Sequence, residues 1–276
     1  HMIEIKRLPK GAIFDIELLE EPVIETPTPH RHEYFEIFWV LEGEGYQSID
    51  FLEFPMLANK VFFIAPGQVH DVRQLPDKFC AISFNAEFIN AESQSQQSID
   101  RLFLQNRSDK PYLNLDGQGE RDIRALVEVL IAEKNSATAD KVLMSTLLLA
   151  FLRYMMRYLD DNENCASNAD LRMVKLLKLV DSHFKTHQDA SFYAEQLAMT
   201  TKRLNELSKE QFSKTVTQLL HDKVIVEARR ELAFSQKSIK TISIELGYKD
   251  SSYFCRFFKR LSGSSPQSFR LQWEKR

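Results

Sequence analysis

Two histidines and a glutamate fall within the short stretch PHRHEYFEIF, as His30, His32 and Glu36, and a further histidine, His70, follows in PGQVH. Three imidazoles and a carboxylate support three kinds of chemistry. They can ligate Fe, Mn, Ni or Zn, and an open coordination position would make such a site catalytic. They can hydrogen-bond a small organic ligand. They can also satisfy one another as a buried polar cluster with no ligand at all. If the stretch is a strand, the even positions His30, His32, Tyr34, Glu36 and Phe38 share one side, while Ile37, Trp39 and Leu41 share the other.

The surrounding sequence predicts the frame that holds these residues. EYFEIFWVLEGEG, GYQSIDF, ANKVFFIAPG and KFCAISF are short, rich in β-branched and aromatic residues, and bounded by Gly, Pro, Asn and Asp. Strands at this spacing predict an antiparallel barrel or sandwich. The even positions then face its lumen, and the odd ones face helices or a dimer partner. After NAESQSQQSID and LNLDGQGE the period changes to that of amphipathic helices, expected over 121–133 and 139–160. The second includes VLMSTLLLAFLRYMMRYL, whose Arg153 and Arg157 argue for a buried helix and against a bilayer span. Cys80, Cys165 and Cys255 are odd in number and without CxxC spacing, which suits reduced thiols in a cytoplasmic protein with no secretory leader.

A net charge of −3 conceals an asymmetry: residues 1–166 carry −11 and residues 167–276 carry +8. DDNENCASN reads as a linker at 161–168, between a domain at 1–160 and another at 169–276. The basic part has a helical period throughout. Helices are expected near 169–186, 191–198, 201–210, 215–234, 239–246, 251–261 and 265–273. Ser191, Thr201, Ser238 and Ser251 are the N-cap candidates, with Gly247 and Gly263 as stops.

That part also repeats. Leu204, Leu207, Lys209 and Thr215 recur fifty positions on as Phe254, Phe257, Lys259 and Ser265, and Ser213 falls opposite Gly263. Each copy is a short helix, a tight turn and a second helix, the layout of a helix-turn-helix motif. In the second copy, Tyr253, Phe254, Phe257 and Phe258 are expected to pack inward, leaving Ser251, Ser252, Cys255 and Arg256 for the major groove, where Arg can bind guanine bidentately. In the first, Lys202, Asn205, Glu206 and Lys209 line the comparable face; Asn can read adenine and Glu can accept from cytosine. Glu206 can equally pair with Arg203 and read nothing. Lys214, Lys259 and Arg260 are expected to contact phosphate. A connecting helix of about twenty residues would span ~30 Å, close to the ~34 Å of one DNA turn. The competing reading is a helical protein–protein module whose basic residues are incidental.

SIKTISIELGYKDSSYFCRFFKRLSGSSPQSFR resembles the second half of the AraC/XylS family's DNA-binding domain. Ile239, Ile242, Gly247, Ser252, Phe254, Arg256, Phe258, Lys259, Gly263, Ser265, Pro266 and Arg270 fall on that family's pattern; Ser243 and Tyr248 replace the usual Ala and Phe. In the first copy Ser213 stands where the family often has Gly, so the turn there is expected to need a different conformation. His30, His32, Glu36 and Gly43 are similar to the first cupin motif. Pro66, Gly67 and His70 resemble the second, although Asn59 replaces its opening Gly.

The resemblance implies an α+β two-domain chain, with a cupin-like sensor barrel and following helices before an all-α domain of two helix-turn-helix motifs. It implies a transcription regulator and not an enzyme, bound to double-stranded DNA, with RNA polymerase as a partner if it activates, and homodimeric through helices 121–133 and 139–160. It also implies a small effector, a sugar or organic acid, held without metal or other cofactor by His30, His32, Tyr34, Glu36 and His70 and stacked on Phe38. The rival is a metal-dependent cupin enzyme with a helical appendage, its metal on His30, His32, Glu36 and His70.

Overall fold

The computed structural model describes residues 4–6, 8, 13–21, 28–89, 99–103, 110–162 and 171–274. The chain divides into two units, Glu4–Ser167 and one beginning at Asn168. Residues 163–168 of the expected linker, including Cys165, lie outside the described residues.

Among the described residues the first unit has ten strands: β1 (Glu4–Lys6), β2 (Phe14–Leu19), β3 (His30–His32), β4 (Phe35–Glu42), β5 (Glu44–Ile49), β6 (Leu52–Leu57), β7 (Lys60–Ile64), β8 (Val69–Gln74), β9 (Lys78–Phe84) and β10 (Tyr112–Asn114). They form two five-stranded sheets, ordered β1-β3-β8-β5-β6 and β10-β7-β4-β9-β2. Pairing is antiparallel apart from β1 with β3, which is parallel.

The stretch expected as one strand through His30 and Phe38 is two strands in different sheets. Glu33 and Tyr34 form a bend, and the chain crosses there from β3 to β4. GYQSIDF is likewise shorter than expected. Asp50 and Phe51 both have positive φ, 48° and 73°, and make the tight turn that opens the β5–β6 hairpin. β6 carries Pro55 and lies at a sheet edge, where a missing N–H costs nothing.

Alternation along β4 divides the apolar residues between two cores. Phe38 and Val40 pack between the sheets with Ile49, Met56, Phe62, Ile64, Val72 and Phe79. Ile37, Trp39 and Leu41 face outward into a larger core, shared with Phe88, Ile99, Leu102 and Phe103 and covered by two long helices, α1 (Gly117–Lys134) and α2 (Lys141–Asn162). Ile123, Val127 and Leu130 of α1 and Leu148, Phe151, Leu152, Met155 and Leu159 of α2 are buried there. Among the described residues α2 alone is long and apolar enough to cross a membrane, yet its apolar stripe already covers the barrel.

The second unit contains α3 (Leu171–His183), α4 (Ala190–Gln196), α5 (Thr201–Phe212), α6 (Val216–Phe234), α7 (Ile239–Glu245), α8 (Ser251–Ser262) and α9 (Pro266–Glu274). Ser238 caps α7 as expected. At the other starts the cap lies one or two residues earlier: Asp189, Thr200 and Asp250 accept the first-turn N–H groups, not Ser191, Thr201 and Ser251. Asp caps as well as Ser and Thr nearly so, so neighbouring candidates compete and the backbone decides.

Lys223 of α6 joins Asp181 of α3 at 3.1 Å and Glu227 at 2.7 Å, and Arg230 meets Glu227 at 2.7 Å. Burial pushes the Glu227 carboxyl upward, but the Arg230 and Lys223 charges outweigh it and hold the group below its ordinary range. Arg270 of α9 donates to the Leu232 and Lys237 carbonyls, closing the C-terminal end of α6.

Candidate functional site

In the barrel, the register sets His30 of β3 directly opposite His70 of β8, with Ile49 of β5 on the other side of His70. Glu36 projects from the facing sheet. His30, His32, Glu36 and His70 are all buried, and His32 is fully so. Glu36 bridges two of the rings: its Oε2 lies 3.4 Å from His32 Nε2 and its Oε1 lies 3.8 Å from His70 Nδ1. One ring nitrogen from each of His30, His32 and His70 lies within 4.8 Å of the other two. The structure brings these four side chains together, although they come from three strands and two sheets.

Partners outside the cluster fix the rings. His30 Nδ1 donates to the Thr28 carbonyl and His32 Nδ1 to the Tyr34 carbonyl, each at 2.8 Å. Gln47 Oε1 binds His70 Nε2. Tyr34 stacks on His32, with ring centroids 4.3 Å apart and planes 9° from parallel. Burial, with the Glu36 charge behind it, pushes the Tyr34 phenol well above its usual range, so it stays a neutral donor. Phe38 departs from expectation. Its ring is stacked on Phe79 at 4.6 Å within the apolar interior, so it forms that interior and is not an open stacking platform.

In the second unit, α5 and α8 present matching faces. On α8, Ser252, Tyr253, Arg256, Lys259 and Arg260 are exposed, Ser251 and Cys255 are half-buried, and Phe254, Phe257 and Phe258 are buried. Tyr253 was expected to pack inward but is 53% exposed. Its position beside Ser252 and one turn before Arg256 gives it a place on the outer face, which an aromatic in a hydrophobic run hides from sequence reading. On α5, Lys202, Arg203, Glu206, Lys209 and Glu210 are exposed, fifty positions before that set.

Asn205 is half-buried, and its Oδ1 accepts the Val216 N–H at 3.0 Å. Its acceptor is thus committed inside the protein and not to a base. Arg203 Nη1 lies 3.3 Å from Glu206 Oε2, so Glu206 is paired with Arg203. Lys214 bonds Asp222 at 2.9 Å. The connecting helix α6 has 19 residues, or about 28 Å at ~1.5 Å per residue. Ser213, after α5, adopts φ 55° and ψ 20°, the same left-handed turn that Gly263 makes after α8. The substitution of Ser for Gly therefore leaves the turn's conformation unchanged.

A barrel with a buried polar cluster, followed by two helix-turn-helix motifs on one connecting helix, defines a transcription regulator with its own sensing domain. Residues 18–152 match the family model described as AraC-like ligand binding domain, and residues 193–272 match a helix-turn-helix domain model. The chain belongs to the AraC family of transcription regulators, and it combines a ligand-binding domain with a helix-turn-helix DNA-binding domain.

It is 22% identical over 256 residues to the HTH-type transcriptional activator RhaR of Yersinia pseudotuberculosis serotype O:1b (strain IP 31758), which covers 90% of this chain and 86% of that protein. It is 20% identical over 253 residues to RhaR of Mannheimia succiniciproducens, covering 91% of this chain and 90% of that one. Among solved structures, ToxT from Vibrio cholerae in its P21 form is similar at 15% identity and a TM-score of 0.47, covering 94% of this chain and 98% of that chain.

Proposed function

We propose that this chain is a homodimeric, cytoplasmic transcription regulator that reads two successive major grooves with α5 and α8 and responds to a small organic effector held in the barrel. One observation carries the DNA reading: two exposed helical faces in the same register, fifty residues apart, on either side of the 19-residue α6. On α8 the base-reading residues are Ser251, Ser252 and Arg256, joined by Tyr253, with Cys255 at the edge; Lys259 and Arg260 take phosphates. On α5, Lys202, Arg203 and Lys209 are the contacts, and Glu206 becomes available only if its exposed pair with Arg203 opens. Such pairs are worth about 0–1 kcal/mol, so opening one costs little.

Similarity to relatives named as activators supports an activating role, with RNA polymerase as the further partner. Val129, Val142 and Leu143 remain exposed on the outer side of α1 and α2, which supports these helices as the dimer contact. In the barrel, His30, His32, Tyr34, Glu36 and His70 would hold a sugar or organic acid over the apolar floor to which Phe38 belongs.

The decisive experiment selects a preferred DNA site from random duplexes with the full chain. It then measures that site's affinity with and without candidate sugars and organic acids. The expected site has two half-elements about one helical turn apart. Failure to enrich any sequence would overturn the reading.

A further inference from the structure

We infer that Glu206 is a base-reading residue of α5, selecting cytosine at the place where Arg256 of α8 selects guanine. This deepens the proposed DNA reading and rests on it, because both helices must enter major grooves.

From Lys202 to Leu219 and from Ser252 to Phe269, residues fifty positions apart are buried, half-buried or exposed alike, without exception. Both α5 and α8 have 12 residues, begin after a side chain that accepts a first-turn N–H, and end on a left-handed residue. The two helices therefore present equivalent outer faces, and each residue has a counterpart in the other copy. Lys209 corresponds to Lys259, so one cation is common to both. Glu206 corresponds to Arg256 and Glu210 to Arg260, so two charges are reversed. The exposed charges of α5 are Lys202, Arg203 and Lys209 against Glu206 and Glu210, whereas those of α8 are Arg256, Lys259 and Arg260 with no anion.

Packing does not account for the reversal. The same exposed position carries Glu in one copy and Arg in the other, with the same residues buried behind it. Glu206 lies one turn after Lys202 and one turn before Lys209, on the outermost stripe of α5. A carboxylate only accepts hydrogen bonds. In the major groove cytosine offers a donor at N4, adenine offers one donor and one acceptor, and guanine and thymine offer acceptors alone. Facing cytosine, Glu206 gains a charge-assisted bond. Facing guanine or thymine, it loses water and meets only lone pairs. The position thus selects largely by exclusion.

Lys202 and Lys209 flank the carboxylate and offset its repulsion from the phosphates. Arg203, which holds Glu206 at 3.3 Å in the unbound chain, exchanges it for a phosphate, and an exposed pair opens at little cost. The two half-elements are then not copies of one sequence. The strand facing α5 carries cytosine where the strand facing α8 carries guanine, and the α5 half contributes less of the salt dependence.

The test selects sites from random duplexes with the full chain as wild type, Arg256→Ala, Glu206→Gln, Glu206→Arg and Arg203→Ala, then measures affinities for the wild-type site with each base pair varied. Arg256→Ala marks the half-element of α8, and the other belongs to α5. There the wild type should prefer one cytosine over guanine or thymine by roughly fivefold to 150-fold. Glu206→Gln should reduce that preference at least fivefold while binding unrelated duplex more tightly. Glu206→Arg should move the preference to guanine. Arg203→Ala should weaken all versions alike and keep the preference. A wild-type α5 half-element without a preferred cytosine would overturn the inference, whether or not any Glu206 variant folds. So would an unchanged preference in Glu206→Gln, or its loss in Arg203→Ala, which would make Arg203 the reader. The DNA reading itself fails separately, if the wild-type chain enriches no sequence.

Discussion

Asn205 Oδ1 accepts the backbone N–H of Val216 at 3.0 Å, tying the middle of the first recognition helix to the start of α6. The repeat shows why. Fifty positions on, Asn205 becomes Cys255 and Val216 becomes Pro266. Val216 is the first residue of its helix, where an N–H has no intrahelical acceptor and needs a side chain. Proline at the same place has no N–H to satisfy, so its copy needs no Asn.

Asn205→Cys is therefore expected to lower the stability of the DNA-binding unit by about 1–2 kcal/mol, the cost of a buried donor left without its acceptor. Adding Val216→Pro should restore most of it, because the double variant reproduces the pairing of the second copy. Urea and thermal melts measure both effects. Selected-site preference should stay the same in the single variant. A changed preference at one base pair with unchanged stability would return Asn205 to the recognition surface.

On α8, Arg256→Ala should cost about 1–3 kcal/mol of affinity for the selected site and relax one base position. Lys259→Ala should weaken all sequences alike and reduce the salt slope by about 1. Tyr253 adds a residue to this face. Because it is 53% exposed, Tyr253→Ala should leave the melting temperature within a degree or so while lowering DNA affinity. A drop in stability with intact DNA binding would put Tyr253 back in the packing stripe.

How much of this was legible depended on whether the signal was local. Helical starts, stops and the fifty-residue repeat are written in period and capping residues, so every helix of the second unit was expected within a few residues of where it lies. The grouping of His30, His32, Glu36 and His70 was also legible, because side chains alternate along extended chain. What the sequence hid was the crossing at Glu33 and Tyr34 between two sheets, since a bend between extended segments leaves the alternation in step. β6, LEFPML, was hidden by Pro55, and β8, VHDVRQ, by having only two β-branched residues among four polar ones. Partners for Phe38 and Asn205 are tertiary facts, and their expected roles changed for that reason.

Gly247 and Gly263 separate conformational strain from steric exclusion. Both have left-handed backbones, with φ of 89° and 81°. A Cβ on Gly247 would lie 2.0 Å from the Lys185 carbonyl oxygen, whereas nothing lies within 4 Å of one on Gly263. Gly263→Ala should cost only the ~1–2 kcal/mol of a non-glycine residue in that region, and Ser213 already tolerates the equivalent place. Gly247→Ala should cost clearly more, because the carbonyl belongs to backbone and cannot swing away. Equal losses in the two variants, measured by denaturant unfolding, would show that the 185–188 segment gives way easily.

His221 sits on α6 with its ring edge-on to Phe257 of the recognition helix, at 5.0 Å and 74°. Burial holds its pKa below the usual histidine value, the Arg260 charge adds to that, and Asp222 opposes it. The unfolded chain then binds a proton on this residue more readily than the folded one. Its contribution to stability is present above the unfolded pKa of about 6.5 and is lost as pH falls from there through the lower folded value. The wild-type DNA-binding unit should thus melt at progressively lower temperature as pH falls below about 6.5. His221→Gln removes the titrating ring and should flatten this part of the curve, even if the loss of the Phe257 contact lowers the whole of it. Melts at matched ionic strength across that range make the comparison. If the slope is as steep in His221→Gln as in the wild type, the proton is taken up elsewhere.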